Sequence, residues 1–570
     1  MPRTYTCSTS CRPRAPIDLA AMESTKYRKA KRANKPMPTA AGGDADLISG
    51  LNDDVLVRIL QLVGDARQVV RTGTLSRRWR GLWTRVPALH FDAGPVILSP
   101  RGARRFIAFV DNALALRSRS DDSGIIEHLG ISLRVCRGRG KPRLTPSSVG
   151  SAVGWIRYAG RHGVASFSLS VRVRVLVKEM LDKDQEEEYD CEAAVVDLGD
   201  LPSSTKLETM RLFLGGARVR FPSSAAFASL TDLALECFEI ADHSGDGDLL
   251  GRLLSSTGCP RLQKLRLWAV RFDRARTKEL VIESSTLVEV SMYGMDHMES
   301  LELRTPSLLA LEILSCRELE AVTVSASGLK ELTFSRNGFR AGTVRGDLSC
   351  VWHLGVNLSS HAHVSPYNDY DGGRINDGGI CLLKQCRSSA TCLLVDLDIV
   401  PTRSDYYVDV IKDKIPQLPN ATSLAVKIHA MCERHSIGDG VAGLLTRFKN
   451  LRYLSLQLDE YPGMTRRDDI YTKDAGDLAF ICSHEDHWAS NELSLAKLCT
   501  AEFRGLTGTG CELRFLRFVL SSATDLEKVT IGFSINYKLG GRIDGFLHGL
   551  LRNGTWTACK DKSYEWKPCP

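Results

Sequence analysis

One spacing, apolar-x-x-apolar-x-apolar, recurs along this chain and limits what it can fold into. It stands as LETMRL from Leu207, LTDLAL from Leu230, LQKLRL from Leu262, LVEVSM from Leu287 and MESLEL from Met298. It continues as LLALEI from Leu308, LEAVTV from Leu319, LKELTF from Leu329, LRYLSL from Leu451 and LEKVTI from Leu526. The second and third apolar positions lie two residues apart, so they share one face of a strand. A unit this short buries that face only against a stacked neighbour, so the copies predict a solenoid.

The steps between copies divide the array. Leu207 to Leu230 is 23 residues and Leu230 to Leu262 is 32, room for a strand and a helix, and a helix is expected around Leu249–Ser255. From Leu287 the starts fall at 287, 298, 308, 319 and 329. Steps of ten or eleven leave no space for a helix, which predicts a nearly all-β segment with two strands per coil of about 21 residues. This is a leucine-rich-repeat pattern. It lapses over 355–420, where SSHAHVSPYNDYDGGRINDGG is polar and glycine-rich and reads as a loop near 359–380. Strands are expected again at Ala421–His429 and Leu451–Leu458. After a gap over 459–491, Leu495–Phe533 reads as strand, turn, helix (Cys511–Ser522) and strand, followed by a tail over 541–570.

Ahead of the repeats the period is helical. Asn52 or Asp53 can cap a helix whose apolar positions are Val55, Leu56, Ile59, Leu60 and Val63, and Gly64 suits its end. Asp65 can cap a second helix. In TLSRRWRGLW, residues Leu75, Trp79, Leu82 and Trp83 fall on one stripe of a third, which makes them core. Arg77, Arg78 and Arg80 then form its solvated side. Helices are expected over Arg101–Leu116 and Ser148–His162, with a strand from Ser166. KEMLDKDQEEEYD, residues 178–190, reads as an exposed acidic insertion. The resulting class is α+β: a small three-helix unit followed by α/β repeats that grade into β-rich ones.

Charge narrows the function. The chain has 570 residues and a net charge of +8, yet residues 1–40 hold nine Lys or Arg against two acids, leaving +1 for the remainder. A near-neutral body argues against a nucleic-acid surface. The first 45 residues are poor in large apolar groups and read as a disordered basic tail. Lys26, Arg28, Lys29, Lys31 and Arg32 within it fit either a nuclear import signal or a solvated tail. The 17 cysteines follow no disulfide framework, so reduced thiols are expected. Cys7 with Cys11, Cys432 with His435, and His484 with His487 lack matching second pairs, so no metal and no cofactor is expected. No apolar run is long enough to span a bilayer. Neither RGRGKPRL (Arg137–Leu144) nor HEDH (His484–His487) has the spacing of a phosphate loop or a zinc protease, and no catalytic set stands out.

Asp46–Asp92, DLISGLNDDVLVRILQLVGDARQVVRTGTLSRRWRGLWTRVPALHFD, resembles a plant F-box. Gly154–Val171, Cys259–Val270 and the spaced copies resemble the plant F-box/leucine-rich-repeat class, and Leu495–Phe533 resembles its FBD-type C-terminal region. The resemblance covers Asp46 to Phe533 and divides the chain into a tail (1–45), an F-box (46–92), connecting helices and first repeats (93–200), a solenoid (201–470), FBD-like repeats (490–540) and a tail (541–570). It implies the substrate receptor of an SCF (Skp–cullin–F-box) ubiquitin ligase, working in nucleus or cytoplasm without a catalytic residue. Its partners would be a Skp-type adaptor, through it a cullin, and an unidentified target protein. By position the adaptor-facing residues are Leu51, Asn52, Val55, Leu56, Ile59 and Leu60. Asn52 stands where the family has proline, which leaves open a scaffold or competitor that has lost the adaptor.

Overall fold

The computed structural model describes residues 48, 50–94, 99–120, 124–136, 146–174, 195–198, 205–221, 227–240, 249–272, 279–335, 337, 344–359, 361–363, 372–399, 407–409, 411, 414–430, 437–458, 489, 492–508, 510–534, 542–551, 553–560 and 562–569. The chain divides into two units, residues 1–52 and 53–570. The described part of the first is a turn in which the Leu51 amide donates to the Ile48 carbonyl at 3.2 Å.

The second unit opens with short helices: α1 (Asp53–Gln61), α2 (Ala66–Arg71) and α3 (Trp79–Leu82). Strands and helices then alternate: β1 (Ala88–Asp92), α4 (Pro100–Ser118), β2 (His128–Cys136), α5 (Pro146–Arg161), β3 (Ser166–Arg174), β4 (Val195–Asp197), β5 (Thr209–Arg220), β6 (Asp232–Ile240), α6 (Leu249–Leu254) and β7 (Lys264–Arg271). An all-strand stretch follows: β8 (Glu279–Glu283), β9 (Glu289–Tyr293), β10 (Ser300–Arg304), β11 (Ala310–Leu314), β12 (Ala321–Ser325), β13 (Glu331–Ser335), β14 (Val344–Gly346), β15 (His353–Ser359) and β16 (His361–His363). The chain continues with α7 (Gly372–Gln385), β17 (Cys392–Ile399), β18 (Tyr407–Asp409), β19 (Ser423–Ala430), α8 (Ile437–Leu445), β20 (Tyr453–Leu458), β21 (Thr500–Leu506), α9 (Gly510–Ser521), β22 (Lys528–Phe533), α10 (Arg542–Leu550), β23 (Gly554–Ala558) and β24 (Ser563–Pro568).

One parallel ladder runs through β1, β2, β3, β5, β6, β7, β9, β11, β13, β15, β17, β19, β20, β21 and β22. Its register matches the apolar spacing. The second apolar position lines up strand by strand as Leu89, Leu129, Phe167, Met210, Leu233, Leu265, Val290, Leu311, Leu332, Leu354, Leu393, Leu424, Leu454, Ala501 and Val529, all buried. A parallel ladder needs its buried face covered, and helices do so wherever a coil has one.

The expected all-β coils are present. Copies from Leu287 alternate between the long ladder (β9, β11, β13) and a second parallel sheet ordered β8, β10, β12, β14. Glu289, Ala310 and Glu331 are partners across successive ladder strands, so one coil takes 21 residues. The second sheet takes the helices' place beneath the ladder. Where the two kinds of coil meet, Ser256, just past α6, donates its amide to the Glu283 carbonyl of β8 at 2.9 Å.

Three expectations need correction. The ladder starts at β1, inside the stretch read as F-box, and includes β2, β15 and β17 beside the expected β3 and β21. Val86, Ile126, Val351 and Ala390 fill the first apolar position in β1, β2, β15 and β17, which hid these four from a search for leucine. The segment near 359–380 is not wholly loop, because β16 lies there and α7 begins at Gly372. Residues 541–570 are not a tail: β24 pairs antiparallel with both β22 and β23 and ends the ladder with a hairpin. The basic tail with Lys26, Arg28, Lys29, Lys31 and Arg32, the insertion 178–190, and the pairs Cys7–Cys11, Cys432–His435 and His484–His487 lie outside the described residues.

Candidate functional site

Two surfaces carry side chains that folding alone does not employ. The first is on α1. Asp53 and Asp54 sit in its first turn, where the helix dipole favours acids. They also tie α1 to the α3 segment: Arg78 Nη2 lies 2.7 Å from Asp53 Oδ1, and Arg85 Nη2 lies 2.7 Å from Asp54 Oδ1. Arg78 is therefore an ion-pair partner and not simply a solvated arginine, while Arg77 and Arg80 are exposed as expected. Gly64 ends this segment in the left-handed region at φ 75°. Asp65 caps α2, its Oδ1 accepting from the Arg67 amide at 2.9 Å.

The apolar residues of α1 divide into two stripes. Leu56 and Leu60 are 0% and 2% exposed and belong to the core. Val55, Ile59 and Leu62 are 42%, 41% and 84% exposed. Val55 and Ile59, four apart, share one face of α1, and Leu62 lies in the turn just past its end. Leu56 and Leu60, expected to face a partner, cannot do so without unfolding the module. Leu51 is half-buried and Asn52 exposed. Of the expected core, Leu82 and Trp83 are buried and Trp79 is half-buried, but Leu75 is 69% exposed. The expected helix through Leu75 is in fact a 3-10 turn at Thr72–Thr74 and a four-residue α3 beginning at Trp79. Leu75 therefore does not join the Leu82 stripe.

Arg117 fixes this module onto the ladder. Its guanidinium is buried and donates to the Val86 carbonyl at 2.8 Å and the Gly124 carbonyl at 2.9 Å. Burial pulls its pKa down to about 10, so it stays charged at neutral pH. Nothing in the local spacing marked it.

The second surface is the outward face of the ladder, read from the residues between and just after the apolar positions. Phe213, Glu236, Trp268 and Tyr293 are adjacent in register across β5, β6, β7 and β9. Arg211, Ala234, Arg266 and Ser291 form the parallel row two residues earlier. Trp268 and Tyr293 meet edge to face with ring centroids 5.3 Å apart, and Arg172 lies 5.4 Å over the Phe213 ring. Burial pushes the Glu236 carboxyl up, while Arg266, Arg172 and Arg211 pull it down. These residues were legible in the motifs as LETMRLF, LQKLRLW and LVEVSMY, had the residue after each copy been read as a column.

Farther along the same face the polar groups are spent on one another. Ser335 Oγ donates to Asp396 Oδ2 at 2.7 Å, and Asn357 Nδ2 donates to the Asp396 carbonyl at 2.9 Å and to Asp398 Oδ2 at 3.1 Å. The thiols of Cys259, Cys316 and Cys386 are pushed up to about 12 by burial, which makes them poor nucleophiles. Among the described residues no cluster of His, Cys, Asp and Glu could hold a metal ion.

No family model matches the chain. Curated relatives do. An F-box/FBD/LRR-repeat protein of Arabidopsis thaliana is 26% identical over 270 residues, 47% of this chain and 54% of the relative. An FBD-associated F-box protein of the same plant is 26% identical over 278 residues, 48% of this chain and 51% of the relative. An F-box/LRR-repeat protein of that plant is 31% identical over 301 residues, 50% and 56% respectively. The chain spans about half the length of the curated relatives it matches. The resemblance read from the residues thus holds: this chain is similar to plant F-box/leucine-rich-repeat proteins with an FBD region.

Proposed function

We propose that the chain is the substrate-recognition subunit of an SCF ubiquitin ligase. In this reading α1, α2 and α3 are the three-helix F-box, which binds a Skp-type adaptor and through it a cullin. The ladder holds a target protein, and ubiquitin transfer follows from proximity, with no catalytic residue supplied by this chain. The basic cluster Lys26–Arg32 would suit work in the nucleus as well as the cytoplasm.

The observation that carries the proposal is the uncovered apolar group of Val55, Ile59 and Leu62. Taking such a side chain fully out of water is worth about 1.5–3 kcal/mol, and the part of that still unrealised at Val55, Ile59 and Leu62 favours a partner on this side of the module. The similarity to F-box proteins says which partner to try.

The test is co-purification of the full-length chain with a plant Skp-type adaptor, beside Val55→Asp/Ile59→Asp and Asn52→Pro. Capture by the native chain and loss in the double variant supports the ligase reading. Capture only with Asn52→Pro would assign the native chain the role of a scaffold without adaptor. No capture by any form would sink the ligase reading.

A further inference from the structure

The outward ladder face between β3 and β9 has the composition of a binding hot spot. Trp, Tyr and Arg dominate such spots because they combine large rigid area with directional polar contacts. Here Trp268, Tyr293 and Phe213 stand in one row with arginines beside them. Arg211 has a long ion pair to Asp232, 3.8 Å. Arg172 and Arg266 have none within 4.0 Å among the described residues, although both lie close enough to Glu236 to act on its charge. Other arginines of this region are paired: Arg218 with Glu239 at 3.0 Å, Arg220 with Asp197 at 3.0 Å and Arg271 with Asp296 at 3.6 Å. Arg172, Arg211 and Arg266 thus stand beside the aromatic row with a long internal ion pair or none.

The register matches the charge. Arg211 and Arg266 flank buried Ala234 across β6. With adjacent strands about 4.8 Å apart, the two arginines start roughly 10 Å apart. A carboxylate laid over them meets a guanidinium on either side and displaces no internal ion pair of Arg266. An apolar or aromatic side chain one or two residues along reaches the Trp268–Tyr293 pair. The row from Phe213 to Tyr293 spans about 15 Å, which some five extended residues cover.

We infer that this face binds an acidic, extended segment of the target protein, carrying Asp or Glu next to an aromatic or large aliphatic residue. The inference rests on the target-receptor reading above and specifies the chemistry of the target. Arg172, Arg211 and Arg266 receive the carboxylates, and Trp268 and Tyr293 receive the apolar anchor.

The test uses the full-length chain and three fluorescein-labelled peptides of about eight residues, long enough to cross the row. All alternate Leu and Tyr with one polar residue, which is Glu, Gln or Lys. The Glu peptide is expected to bind about tenfold tighter than the Gln peptide, in line with loss of one hot-spot contact, and the Lys peptide not at all. Raising the salt should narrow the difference. Arg172→Glu/Arg266→Glu should reverse the preference, Arg172→Gln/Arg266→Gln should abolish it, and Trp268→Ala should weaken all binding. Equal binding of the three peptides, binding of none, or a preference unchanged in the charge-reversed chain would overturn the inference. Two further results would reassign the face and overturn it as well: a dimer in light scattering that Trp268→Ala dissolves, or binding that appears only after residues 178–190 are deleted. Adaptor capture is followed in the same variants. Its persistence while peptide binding is lost locates the effect in the ladder face, and its absence in every form strikes the ligase reading instead.

Discussion

The all-β coils from β8 to β13 and the helical module from α1 to α3 treat the same kinds of residue in opposite ways. In the coils the strands from β8 to β12 alternate, with Leu280 and Ile282, Val290 and Met292, Leu301 and Leu303, Leu311 and Ile313, Val322 and Val324 all buried and their neighbours turned outward. Stacked on their neighbours, these coils keep their strand apolar pairs inside and expose Tyr293 and Leu309, at 42% and 38%. In the module α1 buries Leu56 and Leu60 but leaves Val55 and Ile59 partly in water, with Leu62 exposed just past its end. Stacked repeats finish their own core, whereas a 30-residue helical piece cannot, and what it leaves over is a docking surface.

The comparison can be broken first in the coils. Leu311→Ala should cost about 2–5 kcal/mol, because a fully packed site cannot collapse around the cavity. Chemical unfolding would read this as a shifted midpoint at unchanged slope. A loss below 1 kcal/mol would mean the coils are loosely filled. Next is Asn337→Ala. Its Oδ1 accepts from the Cys316 amide at 2.7 Å and its Nδ2 donates to the Ile313 carbonyl at 2.8 Å, both buried. Removing it strands two backbone groups and should cost about 1–3 kcal/mol in the same assay.

Acid should act on the ladder through its histidines. Burial lowers the pKa of His353 and of His90 from 6.5, with the charge of His128 adding to the effect at His90. The unfolded chain therefore binds protons first. Stability should fall as pH drops below about 6.5 and level off once it passes the lowered values. His353→Gln should flatten that slope in a series of unfolding curves. Smallest of all, Ile59→Asp should change stability by less than about 0.5 kcal/mol, the usual range for an exposed site. A larger loss would show that Ile59 is part of the core and would erase the contrast.

The ladder was readable because its period is two and its register is strict: each LxxLxL copy became a strand with the expected residues inside. What escaped had a physical reason. Coils led by Val86, Ile126 or Ala390 bury the same position with other apolar groups, so a leucine count passes over them. In α1, Val55/Ile59 and Leu56/Leu60 are both pairs four residues apart, and periodicity cannot say which pair meets the core. Leu75 was misplaced because one helix was drawn through Ser76–Arg78, where the chain turns. The hairpin GTWTA/SYEWKP has its cross-strand partners Trp556 and Trp566 ten residues apart, a contact no single strand pattern displays.

The central claim is that α1, and not the ladder, meets the ligase. Hydrogen exchange of the full-length chain, alone and with a Skp-type adaptor, tests it most directly. The account predicts slowed exchange confined to Asp53–Val63 and the adjoining helical segment, with the ladder amides unchanged. Slowed exchange in the ladder with none on α1 would contradict it.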